Sequence, residues 1–167
     1  TIDQGAQRAE ADNAMAYLQP GQDLLTMVEL RGNSQVRLEA TGPGQLEAMS
    51  AQDINLHYRE DGRTLERVTL ASAASIQFAG EHGQAGRRLA ASWMDIPLEA
   101  DGTPLIVAAR DQVELSLPAE ATTPARRIRA VSLEATGEPG RGLTNARFLD
   151  QVEFVEAKPA RNGVQGG

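Results

Sequence analysis

Residues 25–38 read LTMVELRGNSQVRL. Side chains alternate along an extended chain, so Val28, Leu30, Val36 and Leu38 share one face and Arg31 and Arg37 the other. Between Leu30 and Val36 that apolar face carries only Gly32 and Ser34. About fourteen extended residues at ~3.3 Å each make a long strand for a flat sheet. Small residues at its centre let a sheet bend sharply or let two sheets approach. The stretch predicts a strand that folds over near residues 32–34.

The same pattern recurs. Leu25, Leu65, Leu105 and Leu143 are spaced by 40, 40 and 38 residues. Val28, Val68, Ala108 and Ala146 follow, then Leu30, Leu70, Arg110 and Phe148. The far part of each unit repeats as Val36, Ile76, Val113 and Val152, with Leu38, Phe78, Leu115 and Phe154 two residues on. An earlier strand recurs as Ala14 and Ala16, Ile54 and Leu56, Ile96 and Leu98. Ser72 and Ala74 stand where Gly32 and Ser34 stand. A fixed period of this size marks an architecture built from repeated units. The Ala-rich segment 6–18 is the best helical candidate, but it occupies the phase of residues 52–58 and is read as a strand. Each unit is expected to hold one shorter strand, a turn and one longer strand.

Two classes of turn alternate along the chain. One comprises Gln19-Pro20-Gly21-Gln22, Asp61-Gly62, Asp101-Gly102 and residues 138–142; the other comprises residues 41–44, 80–86 and 118–124. Asp-Gly between alternating segments signals a hairpin. The prediction is an all-β chain of about four repeats of ~40 residues. They form an antiparallel up-and-down meander, folded over as an open β-jellyroll or V-shaped sandwich. Residues 1–156 make up this domain and 157–167 a flexible tail. A parallel solenoid fits the hairpin turns poorly, and a propeller needs four strands per unit where about two are counted.

Composition narrows the function. Of 167 residues 41% are hydrophobic, only 4% are aromatic, and the net charge is −7. Spread carboxylates repel phosphate backbones, which argues against a nucleic-acid partner. There is no cysteine for a disulfide, a thiolate metal site or a nucleophile. His57 alternates onto a polar face, and His82 lies in a Gly-rich loop without an acidic cluster in register, so no metal site is expected. Asp53 and Asp95 recur at equivalent strand starts and read as hydrogen bonders, not as an acid–base pair. The loop over residues 80–86 lacks the Lys-Ser/Thr of a phosphate loop. No nucleophile–base arrangement emerges, so neither catalysis nor a cofactor is expected.

The segments ADNAMAY (11–17), LRGNSQV (30–36), MSAQDINLHY (49–58) and GLTNARFLDQVEFVE (142–156) together resemble the OstA/LptC-like family of lipopolysaccharide-transport proteins. The likeness covers residues 9–156. The Gly-Asn element is intact only in the first unit. The resemblance implies jellyroll segments stacked end to end across the periplasm, with acyl chains of lipopolysaccharide or lipid A in an apolar groove. It implies a periplasmic location, free or anchored to the inner membrane through a segment outside this chain. It also implies partners of the same fold, joined through the terminal edge strands around 9–18 and 143–156, and self-association by end-to-end stacking.

The lipid-facing set would be Val28, Leu30, Val36, Leu38, Ile54, Leu56, Val68, Leu70, Ile76, Phe78, Ile96, Leu98, Val113, Leu115, Phe148, Val152 and Phe154. The alternative is a structural or adhesive β-repeat module whose inward face is a closed core. Arg110 either meets a lipid phosphate at the groove mouth or is turned outward by a local bulge. Trp93 is expected in the core.

Overall fold

The computed structural model describes residues 2–4, 7–40, 42–139 and 141–157. The expected tail lies outside them except for Ala157, as do Ala6, Thr41 and Gly140 of the segments discussed above. The chain runs through β1 (Ile2–Gln4), β2 (Gln7–Glu10), β3 (Asn13–Leu18), β4 (Leu25–Leu38), β5 (Leu46–Tyr58) and β6 (Leu65–Ala79). It continues through β7 (Ala85–Pro97), β8 (Ile106–Leu117), β9 (Arg126–Glu138), β10 (Gly142–Leu149) and β11 (Glu153–Glu156). A 3-10 turn, Glu81–Gly83, precedes β7.

All the strands belong to one antiparallel sheet that meanders from β4 to β10 without closing on itself. At its start β2 and β3 lie end to end along β4, and at its finish β10 and β11 lie end to end along β9. β5 and β6 span 13 and 15 residues, so the two strands of a unit are nearly equal, unlike the expected short and long pair.

One device folds the sheet. Gly32 and Asn33, Ser72 and Ala73, Asp111 and Gln112, and Asp150 and Gln151 are consecutive pairs with positive φ. Each pair opposes a single residue on the next strand, because Arg31 faces Asp53 while Ser34 faces Ala51, which leaves Gln52 alone. Ser92 and Val131 stand in the same place on β7 and β9. These are β-bulges, and two left-handed residues in succession turn the strand sharply. Their alignment across β4, β6, β8 and the β10–β11 junction makes one crease. Asp12, between β2 and β3, meets the first bulge, and its backbone N–H donates to Gly32 O at 2.9 Å. A Cβ at Gly32 would come within 2.5 Å of the Asp12 carboxylate.

The crease divides the sheet into two leaves. Leaf one holds β3, β10 and the parts of β4–β9 on their side; leaf two holds β1, β2, β11 and the remainder. Beside the crease the inward row is Ser34, Ala51, Ala74, Ala91, Val113 and Ala130, all buried. Large side chains there would force the leaves apart. Buried Ser34 satisfies its hydroxyl by donating to Gln52 O at 2.9 Å. The small-residue line read at Gly32, Ser34, Ser72 and Ala74 is therefore the fold line.

The third unit corrects the alignment by one residue. Val107 and Ala109 are buried where Ala108 and Arg110 were placed. Arg110 is exposed on the outer face in regular alternation with Val107 and Ala109, just before the bulge pair, so the slip in alignment and not a bulge accounts for it; its guanidinium lies 4.9 Å from the Trp93 ring centroid. Trp93 pairs with Arg110 on that outer face and is not core.

Candidate functional site

Rows of apolar side chains cross each leaf on its inner face, because residues paired across antiparallel strands point the same way. In leaf one Ala14, Leu30, Ile54, Leu70, Met94, Ala109, Leu133 and Phe148 are successive partners. A second row, Ala16, Val28, Leu56, Val68 and Ile96, lies one step nearer the turns. In leaf two the row is Ala9, Val36, Met49, Ile76, Leu89, Leu115, Ile128 and Phe154. Buried members from both leaves form one hydrophobic cluster, so the inner faces meet.

Burial is deepest at the middle and falls toward both edges. Ile54, Val68, Leu70, Ile76, Met94 and Ile96 are 0% exposed. At the first edge Ala14 and Ala16, the outermost members of the leaf-one rows, are exposed. At the last edge Phe154 closes the leaf-two row at 59% exposure. The interior is thus an apolar seam, mostly aliphatic, fully buried at its centre and exposed where Ala14, Ala16 and Phe154 stand.

Twelve of the expected inward residues are buried: Val28, Leu30, Val36, Ile54, Leu56, Val68, Leu70, Ile76, Phe78, Ile96, Leu98 and Val113. Leu38, Leu115 and Phe148 are partly buried against the cluster. Val152 and Phe154 are not enclosed, at 53% and 59% exposure. Among the described residues no strand pairs with the outer side of β11, and none covers these two side chains. The sequence reading passed over Met49, Leu89, Ile128 and Leu133. They sit in parts of β5, β7 and β9 whose alternation was not followed, although Leu89, Ala91 and Trp93 already step by two. Trp93 ends that series on the wrong face because Ser92 is the single residue opposite the bulge.

Polar contacts bind the free ends of the leaves together. Tyr58 Oη donates to Gln7 Oε1 at 3.3 Å, and Arg87 Nη1 donates to Leu143 O at 3.2 Å. Gly44 and Gly142 meet in van der Waals contact, where an added Cβ on Gly142 would lie 3.1 Å from Gly44 O. Burial of the Tyr58 phenol pushes its pKa up to about 12, so it stays a neutral donor.

His57 lies on the outer face and His82 is exposed in the 3-10 turn. No group of three or more His, Cys, Asp or Glu among the described residues is placed to hold a metal ion. No helix among them is long and apolar enough to cross a membrane.

The fold is similar to that in the crystal structure of LptH, the LptA homologous periplasmic component of the conserved lipopolysaccharide transport device from Pseudomonas aeruginosa. The TM-score is 0.57 at 14% identity, over 92% of this chain and 95% of that one. At that identity the likeness is one of fold. No family model and no curated protein matches the sequence.

Proposed function

We propose that the chain is a non-catalytic periplasmic segment of a lipopolysaccharide-transport bridge. It holds acyl chains between its two leaves and passes them toward the outer membrane. The observation that carries this reading is the seam itself, apolar from edge to edge and exposed where Ala16 and Phe154 stand. The LptH-like fold over nearly the whole chain supports it.

Acyl chains enter by spreading the leaves about the crease. Tyr58–Gln7, Arg87–Leu143 and the Gly44–Gly142 contact resist at the rim. Each methylene transferred from water to the seam contributes about 0.8 kcal/mol. Smooth aliphatic walls hold a chain without fixing it at one depth, which suits a conduit that must release its cargo.

Partners of the same fold continue the seam by adding a strand at the open edges. β3 is exposed along all six residues and β11 along all four. An uncovered strand with apolar side chains pairs readily with another sheet.

Calorimetric titration with intact lipopolysaccharide and with its fully deacylated saccharide tests the reading. Binding of the intact molecule alone, with a negative heat-capacity change, supports it. Equal binding of both, or of neither, contradicts it. Binding of neither favours a structural or adhesive module with a closed core, the reading to which the dry centre lends weight.

A further inference from the structure

The outer face of leaf two carries a row of arginines in a chain whose net charge is −7. Arg8, Arg37, Ala48, Gln77, Arg88, Ser116 and Arg127 are successive partners across seven strands, and one strand further out Arg8 pairs with Asp3 of β1. The two outer arginines are neutralised by neighbours. Arg8 meets Glu10 at 3.4 Å, and Arg127 meets Glu114 at 3.5 Å. The two inner ones are not. The Arg37 side chain has no hydrogen bond or ion pair among the described residues. Arg88 gives its Nε–H to Ser75 Oγ at 3.0 Å, which orients the guanidinium and leaves both Nη groups without a partner among the described residues.

Between these two cations the surface is hollow. A depression of about 260 Å3 is floored by Ala48, Ser50 and Ser75 and walled by Arg37, Gln77 and Arg88. One water takes ~30 Å3 of the liquid, so the hollow has room for a tetrahedral anion. Arg37 and Arg88 lie three strands apart, about 14 Å between backbones. Ala48 and Gln77 stand between them in the row, and both arginines line the one hollow. Paired guanidinium groups with adjacent hydroxyls match the oxygens of a phosphate monoester.

We propose that this hollow is a phosphoryl-binding cradle, with Arg37 and Arg88 as its two cationic arms and Ser50 and Ser75 as its floor. It lies on the opposite face of the sheet from the apolar seam and stands whether or not the seam takes lipid.

The test is a nuclear magnetic resonance titration of the 15N-labelled chain with inorganic phosphate, against chloride at equal ionic strength. The cradle predicts saturable shifts at the Arg37 and Arg88 Nε–H groups and at the Ser50 and Ser75 amides. Arg37→Gln weakens binding about tenfold, the scale of one charge-assisted hydrogen bond, and the Arg37→Gln/Arg88→Gln double variant abolishes it. Both side chains are exposed, so the variants keep the dispersed spectrum of the folded chain.

Shifts spread equally over Arg8 and Arg127, or unchanged in the double variant, overturn the proposal. So does the absence of saturable shifts. Phosphatidylcholine vesicles with and without phosphatidic acid identify the source of the phosphoryl group. Sedimentation with the acidic vesicles that the double variant loses assigns a lipid headgroup. Phosphate binding without sedimentation assigns a soluble phosphate ester.

Discussion

Ser72 and Ala73 hold φ of 69° and 54°, a region that costs a residue with a Cβ roughly 1–2 kcal/mol. The crease keeps them there because two residues must cross where β5 and β7 spend one. Ala73→Gly is therefore expected to stabilise the chain by about 1 kcal/mol in urea denaturation. Gly32→Ala is expected to destabilise it by more than that, since the new Cβ also strikes the Asp12 carboxylate.

The turns carry a second residue-scale device. Asp61 Oδ1 accepts the backbone N–H groups of Arg63 and Thr64, each at 2.9 Å, and Asp101 Oδ1 accepts that of Thr103 at 2.9 Å. The Thr64 hydroxyl bond, then those N–H groups, lower the Asp61 pKa from 3.8 to about 2. A folded-state pKa below the unfolded value adds stability that is complete above pH 3.8 and fades toward about pH 2. Asp61→Ala should lower stability at neutral pH and flatten its loss over that window, as urea midpoints at successive pH values will show. The Asp-Gly pairs made these turns legible from sequence. The left-handed pairs were less so, because Gly32-Asn33 advertises positive φ but Ser72-Ala73 does not. Arg110 and Trp93 were harder still, since a one-residue slip exchanges the faces of a strand.

At the scale of the element, the 40-residue period and the alternation within it were enough to place most inward positions. Periodicity says which way a side chain points, not what covers it. Val152 and Phe154 follow the alternation of Val113 and Leu115, yet β11 is an edge strand among the described residues and both side chains stay exposed. For the same reason β3 is exposed throughout even though Ala14 and Ala16 keep the phase of Ile54 and Leu56. Those edges carry the stacking proposal. A proline in β3, Ala16→Pro, removes a backbone donor from an edge that the core does not need. The variant is expected to remain folded and to lose concentration-dependent self-association in sedimentation velocity. Self-association equal to that of the wild type would count against β3 as the joint.

At the scale of the whole molecule, the seam that would receive lipid is also the core that holds the leaves together. Ile54→Ala or Leu70→Ala at its dry centre should cost roughly 2–5 kcal/mol in urea denaturation. Phe154→Ala, at 59% exposure, should cost less than about 1 kcal/mol. If Phe154 lies at the mouth of the seam, that substitution weakens lipid loading while leaving stability nearly intact.

The most direct measurement is photo-crosslinking to lipopolysaccharide. The reactive side chain is placed in turn at Leu56, Ile76 and Leu115 on the inner faces and at His57 and Glu114 on the outer ones. The account predicts adducts at the three inner positions and none at the outer two. Adducts absent from all five sites in the folded protein, or confined to His57 and Glu114, would contradict it.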